Sequence, residues 1–288
     1  MRISLPIFLA ASCALAHGQV SPEKLAGMKA DLAGQIDAMK KQAQVMTDTV
    51  FSFGELGFQE VETSKYLSGI LEKEGFTIER GVAGIPIAED MYANIKTVGL
   101  PVWSDDDQKL ARALQHDLQQ PEKGMPMKVP ELKLPDPTVE LTPAETNVGP
   151  PGGGSDDIGD VSWVVPTVTL RYPSDIPGGP GHNWANGVAM ATPIAHKGVI
   201  AGAKVQAMTM LDILTKPELV VKAWDYFRNV QTKDAQYRSF LRTGDQPALW
   251  LNQKTMEEYR PRMKAFYYDS SKFDTYLDQL GIKYPALK

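Results

Sequence analysis

Three carboxylates, Asp156, Asp157 and Asp160, stand upstream of His182, with a β-branched stretch between them. Carboxylate oxygens and an imidazole nitrogen are donors that a divalent cation takes from a protein, and loops at the ends of strands commonly carry them. A mononuclear zinc centre generally needs three protein ligands and a water, so one histidine needs help from its neighbours. The glycines at 152–154 suggest a phosphate cradle, but no Gly-x-Gly-x-x-Gly occurs and no Lys-Ser or Lys-Thr closes a phosphate loop. His17 at the mature terminus, His116 on a polar helix and His196 at the start of a helix read as structural or solvated.

The elements that would position these groups follow from periodicity. Leu25, Met28, Leu32, Ile36, Met39, Ala43, Met46 and Val50 recur three or four apart, which predicts one long amphipathic helix with Ser21 as N-cap, Pro22 at its first position and methionines as core filler. A helix from Val61 to Lys73 and a short strand at Phe76-Thr77-Ile78 follow. Ser104 caps a helix from Asp105 to Leu118. Asp105, Asp106 and Asp107 in its first turn suit the positive helix end better than a metal.

From Pro121 to Gly154 the chain turns proline-rich and loop-like, and Val164 to Leu170 reads as a buried strand. Pro177 to Trp184 forms a tight loop delivering His182. The helix beyond it has Val199, Ile200, Ala203, Ala207, Met210, Leu211 and Leu214 as its expected buried face, and Pro217 opens a helical, charge-rich tail.

At the N-terminus, Met1-Arg2 precedes an apolar run, Ile3 to Leu15, too short to span a bilayer as a permanent anchor. Ala14-Leu15-Ala16 has the small-x-small form of a signal peptidase site, so export with cleavage before His17 is expected. Ala10 disfavours reading Cys13 as a lipobox cysteine. Cys13 is the one cysteine and would leave with the signal, which excludes disulfide and thiol chemistry in the mature chain. With 288 residues, 43% of them apolar, and a net charge of −5, the composition is that of a globular protein of one or two domains, with nothing basic to attract nucleic acid.

Phe51-Ser52-Phe53-Gly54-Glu55-Leu56-Gly57-Phe58-Gln59-Glu60, with Ser64, Leu71-Glu72, Gly75-Phe76 and Gly81-Val82-Ala83-Gly84-Ile85-Pro86, resembles the opening of the aminoacylase and carboxypeptidase-like metallopeptidase family. The resemblance is to its aminobenzoyl-glutamate utilization type amidohydrolases. Gly99-Leu100-Pro101, Trp103-Ser104, the run Gly154 to Trp163 and Pro180-Gly181-His182-Asn183-Trp184 resemble that group's C-terminal half.

The resemblance implies an α/β fold, a partial zinc-peptidase-like catalytic domain with helices packed on a mixed, partly parallel sheet. It also implies a divalent metal, zinc or manganese, held in part by His182, with Asp156, Asp157 and Asp160 on a loop that orients the site. In such a centre the metals polarise an amide carbonyl and acidify a bridging water while a glutamate acts as base. The family's other ligands and that glutamate belong to a stretch following its Ala-Gly-Ile-Pro motif. Here Ile87 to Met91 leads directly into Tyr92-Ala93-Asn94-Ile95-Lys96, which resembles the far end of an inserted domain, so about 100 to 200 residues are missing near Pro86. Glu55 and Glu60 are expected to pack and cap helices, not to replace the missing base.

The expected organisation is a signal peptide over 1–16, the N-terminal part of the catalytic domain over 17–91, and a remnant of the inserted lid or dimerisation domain over 92–120. A Pro/Gly-rich connection over 121–154 and the C-terminal part of the catalytic domain over 155–288 complete it. The expected function is by lineage a metal-dependent hydrolase of acyl-amino acid or aminobenzoyl-glutamate-like amides, impaired in this chain. The alternative is a non-catalytic truncated homologue or binding subunit that pairs with an intact relative. Expected partners are a small amide or peptide substrate and a homo-oligomeric copy or intact homologue, with no nucleic acid and no membrane after signal cleavage. The expected location is periplasmic or extracellular.

Overall fold

The computed structural model describes residues 20–56, 59–73, 86–131, 158–179, 183–234, 236–239, 241–242 and 244–287. The helices are α1 (Pro22–Ala38), α2 (Lys40–Phe53), α3 (Val61–Lys73), α4 (Pro86–Val98), α5 (Asp105–Asp117), α6 (Ile158–Ser162), α7 (Trp184–Gly187), α8 (Pro193–Thr215), α9 (Pro217–Tyr226), α10 (Gln253–Met263) and α11 (Tyr276–Gln279). A π-helical turn, Phe227–Gln231, extends α9. No strand occurs among the described residues, which overturns the expected α/β fold with helices on a partly parallel sheet. Val164 to Leu170, expected as a buried strand, runs without a ladder partner. The stretch alternates buried Pro166 with more exposed neighbours and rests Val168 against Ile87, Leu219 and Ala223 of α4 and α9. The strand expected at 76–78 lies outside the described residues. None of the described helices is long and apolar enough to cross a membrane.

The 23-residue α8 is the central element, with α1, α2, α4 and α9 packed around it. Thr192 caps it by accepting from the Ile194 amide, and Pro193 opens it, the pairing favoured at a helix start. Its buried residues are Ile194, Ala195, Gly198, Ile200, Ala201, Val205, Met208, Thr209 and Asp212. Of the expected face only Ile200 is buried, while Val199, Met210 and Leu214 are exposed. Close approach fixes one position of the buried face. Segment 172–174 crosses α8 so tightly that a Cβ on Gly198 would lie 2.3 Å from the Pro173 carbonyl oxygen and 2.5 Å from Ser174 Cα. At that position only glycine admits the crossing chain, while Ile194, Ile200, Val205 and Met208 fill the rest of the buried face.

The expected long N-terminal helix is two helices broken at Met39, whose amide bonds back to Ile36 and Asp37 in a tightened last turn. The corner lets both α1 and α2 contact α8. The caps at Ser21 and Ser104 form as expected, the latter as a capping box: Asp107 N donates to Ser104 Oγ and Ser104 N donates to Asp107 Oδ2. Around α5, Trp103, Ala111, Leu114, Met125, Ile176, Ala185, Ala189 and Ile194 form the largest apolar cluster. Trp103 Nε1 donates to the Pro126 carbonyl, which folds the start of the proline-rich stretch back onto α5. The expected boundary at 91/92 falls inside α4.

Candidate functional site

Three aspartates with no exposed side-chain surface fasten α8 to its surroundings, and two of them stand behind one cleft. The first is Asp48 on α2. Its Oδ1 lies 2.6 Å from His196 Nε2, and its Oδ2 accepts from Gln44 Nε2 at 2.5 Å and from the Tyr276 amide at 3.0 Å. Because a carboxylate only accepts, Nε2 carries the proton of this bond. Nδ1 has no hydrogen-bond partner among the described residues.

The second aspartate, Asp107 on α5, accepts from the Lys197 ammonium, the Ser104 amide and the Tyr284 hydroxyl, the last at 2.8 Å. Burial pushes its carboxyl up, but the Lys197 ammonium and the Ser104 and Tyr284 donors outweigh that and hold it below its ordinary value. Burial and the Asp107 carboxylate together push the Tyr284 phenol up. The third, Asp212, meets Lys29 at 2.7 Å and Lys216 at 3.0 Å and accepts from Asn94 Nδ2 at 2.7 Å. Burial opposes its charge, and these donors overcome it to lower its pKa.

His196 and Lys197 line an open cleft of about 430 Å³ with Lys40, Lys204, Asp37, Ile200 and the 98–102 turn. Asp37 bridges Lys40 at 3.0 Å and Lys204 at 2.6 Å, and those two cations hold its carboxyl below the ordinary range. The opposite wall is apolar, built from Val98, Leu100, Pro101 and Val102. The Gly99 carbonyl that shapes this turn accepts from the Tyr172 hydroxyl. Each lysine that lines the cleft is thus paired with an aspartate.

The residues expected to carry metal chemistry fall differently. His182, Asp156 and Asp157 lie outside the described residues. Asp160 sits exposed on α6 with Oδ1 accepting from the Tyr237 hydroxyl at 2.7 Å. Among the described residues no three His, Cys, Asp or Glu side chains come together as a metal would require. Glu55 does what is expected of it. Its carboxylate accepts from the Val61, Glu62 and Thr63 amides at 3.0, 3.0 and 2.9 Å, closing the N-terminus of α3, and it meets Arg260 at 3.3 Å. His116 is exposed and paired with Glu122 at 2.9 Å, in keeping with its solvated reading.

Sequence reasoning assigns His196 to a helix start and does not single out Asp48. A signal is nevertheless present: Gln44, Asp48 and Ser52 recur every four residues, a polar stripe along α2. Ser52 shows what the stripe is for, since its Oγ accepts from the Tyr268 amide at 3.0 Å while Asp48 takes the Tyr276 amide.

No family model matches this chain and no solved structure matches it. Over 138 residues, 43% of its length, it is 29% identical to a subunit of the p-aminobenzoyl-glutamate hydrolase of Escherichia coli (strain K12). The matched region is 28% of that protein, so the chain spans about a quarter of the length of the curated relative. This likeness supports an amidohydrolase-like relationship.

Proposed function

We propose that this chain descends from metal-dependent amidohydrolases of acyl-amino acids or aminobenzoyl-glutamate-like amides, and that by itself it is impaired as a catalyst. The observation that carries the lineage is the 29% identity over 138 residues to a protein named as a subunit of p-aminobenzoyl-glutamate hydrolase. The impairment is argued from ligand number. A catalytic zinc takes three well-placed protein ligands and a two-metal centre takes more, whereas resemblance matches His182 alone to a ligand. Oxygen ligands from Asp156, Asp157 or Asp160 gathered around one imidazole would bind zinc or manganese weakly and exchangeably. Equilibrium dialysis of the chain and its His182→Ala variant against each metal tests this: sub-stoichiometric metal in both supports it, and one or more tightly held ions lost in the variant overturn it.

Pairing with an intact relative is the second reading, favoured by a specific observation. Val199, Ala203, Gln206, Met210 and Leu214 lie exposed along one uncharged face of α8, although the opposite face is already buried. A helix apolar on both faces is ordinarily covered on both. The relative is itself named a subunit, which fits a partner on that face. Residues 1–16 are proposed as an export signal; intact mass of the exported chain should begin at His17, and a species retaining Met1 would refute it.

A further inference from the structure

Between Gly198 and Thr215, α8 carries two charged residues, Lys204 and Asp212, and both turn to α1, where they meet Asp37 at 2.6 Å and Lys29 at 2.7 Å. The face left exposed, Val199, Ala203, Gln206, Met210 and Leu214, is about 22 Å long at the helical rise and offers a partner no charge to read. Its order is symmetric. Val199 and Leu214 are equidistant from the midpoint between Gln206 and Ala207, and so are Ala203 and Met210. At one end, Val199 and Ala203 also border a groove of about 560 Å³ between α2, α3 and α8, with Met46, Val50, Phe51 and Leu67 among its other walls. The hydroxyl of Thr47, which lines this groove, is spent on the Ala43 carbonyl at 2.9 Å.

We propose that a second copy of this chain covers the face, two α8 helices packing antiparallel about a two-fold axis beside Gln206. This rests on the reading that α8 has a partner on this face, and it names that partner. A two-fold axis there sets Val199 against the partner's Leu214 and Ala203 against the partner's Met210, the smaller beside the larger at each step, as interlocking helices require. It also brings the two Gln206 side chains together. Gln206 has no hydrogen-bond partner among the described residues. A carboxamide both donates and accepts, so two copies satisfy each other where an apolar surface would leave both groups unmet. Leu214, 70% exposed, is the knob that the partner's groove beside Val199 receives, and the symmetry makes this contact twice. Such a helix pair is small beside the about 800 Å² per partner of a standard interface, so the dimer should form at about 10 μM protein.

Sedimentation velocity of the full chain from about 1 to about 100 μM should show a monomer giving way to a dimer. Ala203→Glu, Met210→Lys and Leu214→Glu should each weaken that dimer at least about tenfold, because each sets a charge against an apolar side chain of the other copy. All three positions are exposed, so an unchanged melting temperature of the monomer separates a lost contact from a lost fold. In a chain carrying both Ala203→Glu and Met210→Lys, each new carboxylate faces the partner's new ammonium, and the dimer should return. A parallel pair, or a contact without the two-fold, gains no such match. A chain monomeric to about 100 μM, a dimer that the single variants leave intact, or a double variant that stays monomeric would each overturn the second copy. A monomer that nevertheless binds the Escherichia coli hydrolase subunit, in a complex that Leu214→Glu breaks, would overturn it too and give the face to an intact relative.

Discussion

Nε2 of His196 lies 2.6 Å from Oδ1 of Asp48, which joins the first turn of α8 to the middle of α2 across 148 positions of sequence. Asp48 has no exposed surface and also holds the Tyr276 amide, so one carboxylate organises three segments. Asp48→Ala would strand those donors and should cost about 3–5 kcal/mol, the usual penalty for breaking a buried pair. Urea midpoints of Asp48→Ala, His196→Ala and the double variant check this. The double variant should lose clearly less than the two single losses combined, and strict additivity would mean that the two side chains do not interact.

Gly198 is where the backbone of segment 172–174 meets α8. In Gly198→Ala the added methyl meets backbone atoms that cannot rotate away. The helix-propensity gain of about 1 kcal/mol should therefore be outweighed, for a net loss of about 1–3 kcal/mol. Gly34→Ala on α1, with nothing within 4 Å of the new methyl, is the control and should be neutral or stabilising. A stabilised Gly198→Ala would show that the crossing is looser than described.

The helices are legible in the sequence wherever local chemistry sets them. Ser21-Pro22, Ser104 with Asp107, and Val61 to Lys73 all form where capping and periodicity place them. The buried faces of α2 and α8 are not legible, because the apolar period marks a stripe that wants burial without saying which neighbour arrives. In α2 the buried positions are Gln44, Asp48, Ser52 and Phe53, and two of them are chosen by the backbone amides they receive. In α8 one of them, Gly198, is set by the crossing chain, and the others, Ile200, Val205 and Met208 among them, by helices that arrive from elsewhere in the sequence. The expected sheet rests on likeness to a larger protein of which this chain matches about a quarter, and local β-branched content at Val164 to Leu170 forms no ladder. Of the candidate cleft, only the polar stripe of α2 is visible in sequence, because Lys40, Lys197 and Lys204 converge through tertiary packing.

Acid should unfold the protein through a few identifiable carboxyls. Glu55, Asp107 and Asp212 are each opposed by burial, yet their donors hold them below their ordinary values. A carboxyl lowered in the fold contributes stability that is complete above its unfolded pKa, about 4, and is lost as pH falls through the folded value. The melting temperature should therefore change little from about pH 7 to about 5 and fall steeply below about 4. Asp107→Asn and Asp212→Asn should start lower and flatten that acid limb. Limbs parallel to wild type would assign acid sensitivity elsewhere.

Glu55→Gln tests the role of this residue as a cap. One amide oxygen cannot serve the Val61, Glu62 and Thr63 amides as a carboxylate does, and the pairing with Arg260 loses its charge. A loss of about 1–2 kcal/mol is expected, the range of a lost helix cap. Amide exchange should rise first in α3. Uniformly faster exchange with no bias to α3 would speak against local capping.

The proposed descent from metal-dependent amidohydrolases, with too few ligands matched for a metal centre, predicts that the chain does not complete the chemistry alone. Release of p-aminobenzoate from p-aminobenzoyl-glutamate, followed for the purified chain in zinc or manganese beside His182→Ala, tests this most directly. No release above that of the variant is expected. Sustained release that disappears with His182→Ala would contradict the proposed impairment and make this chain an enzyme in its own right.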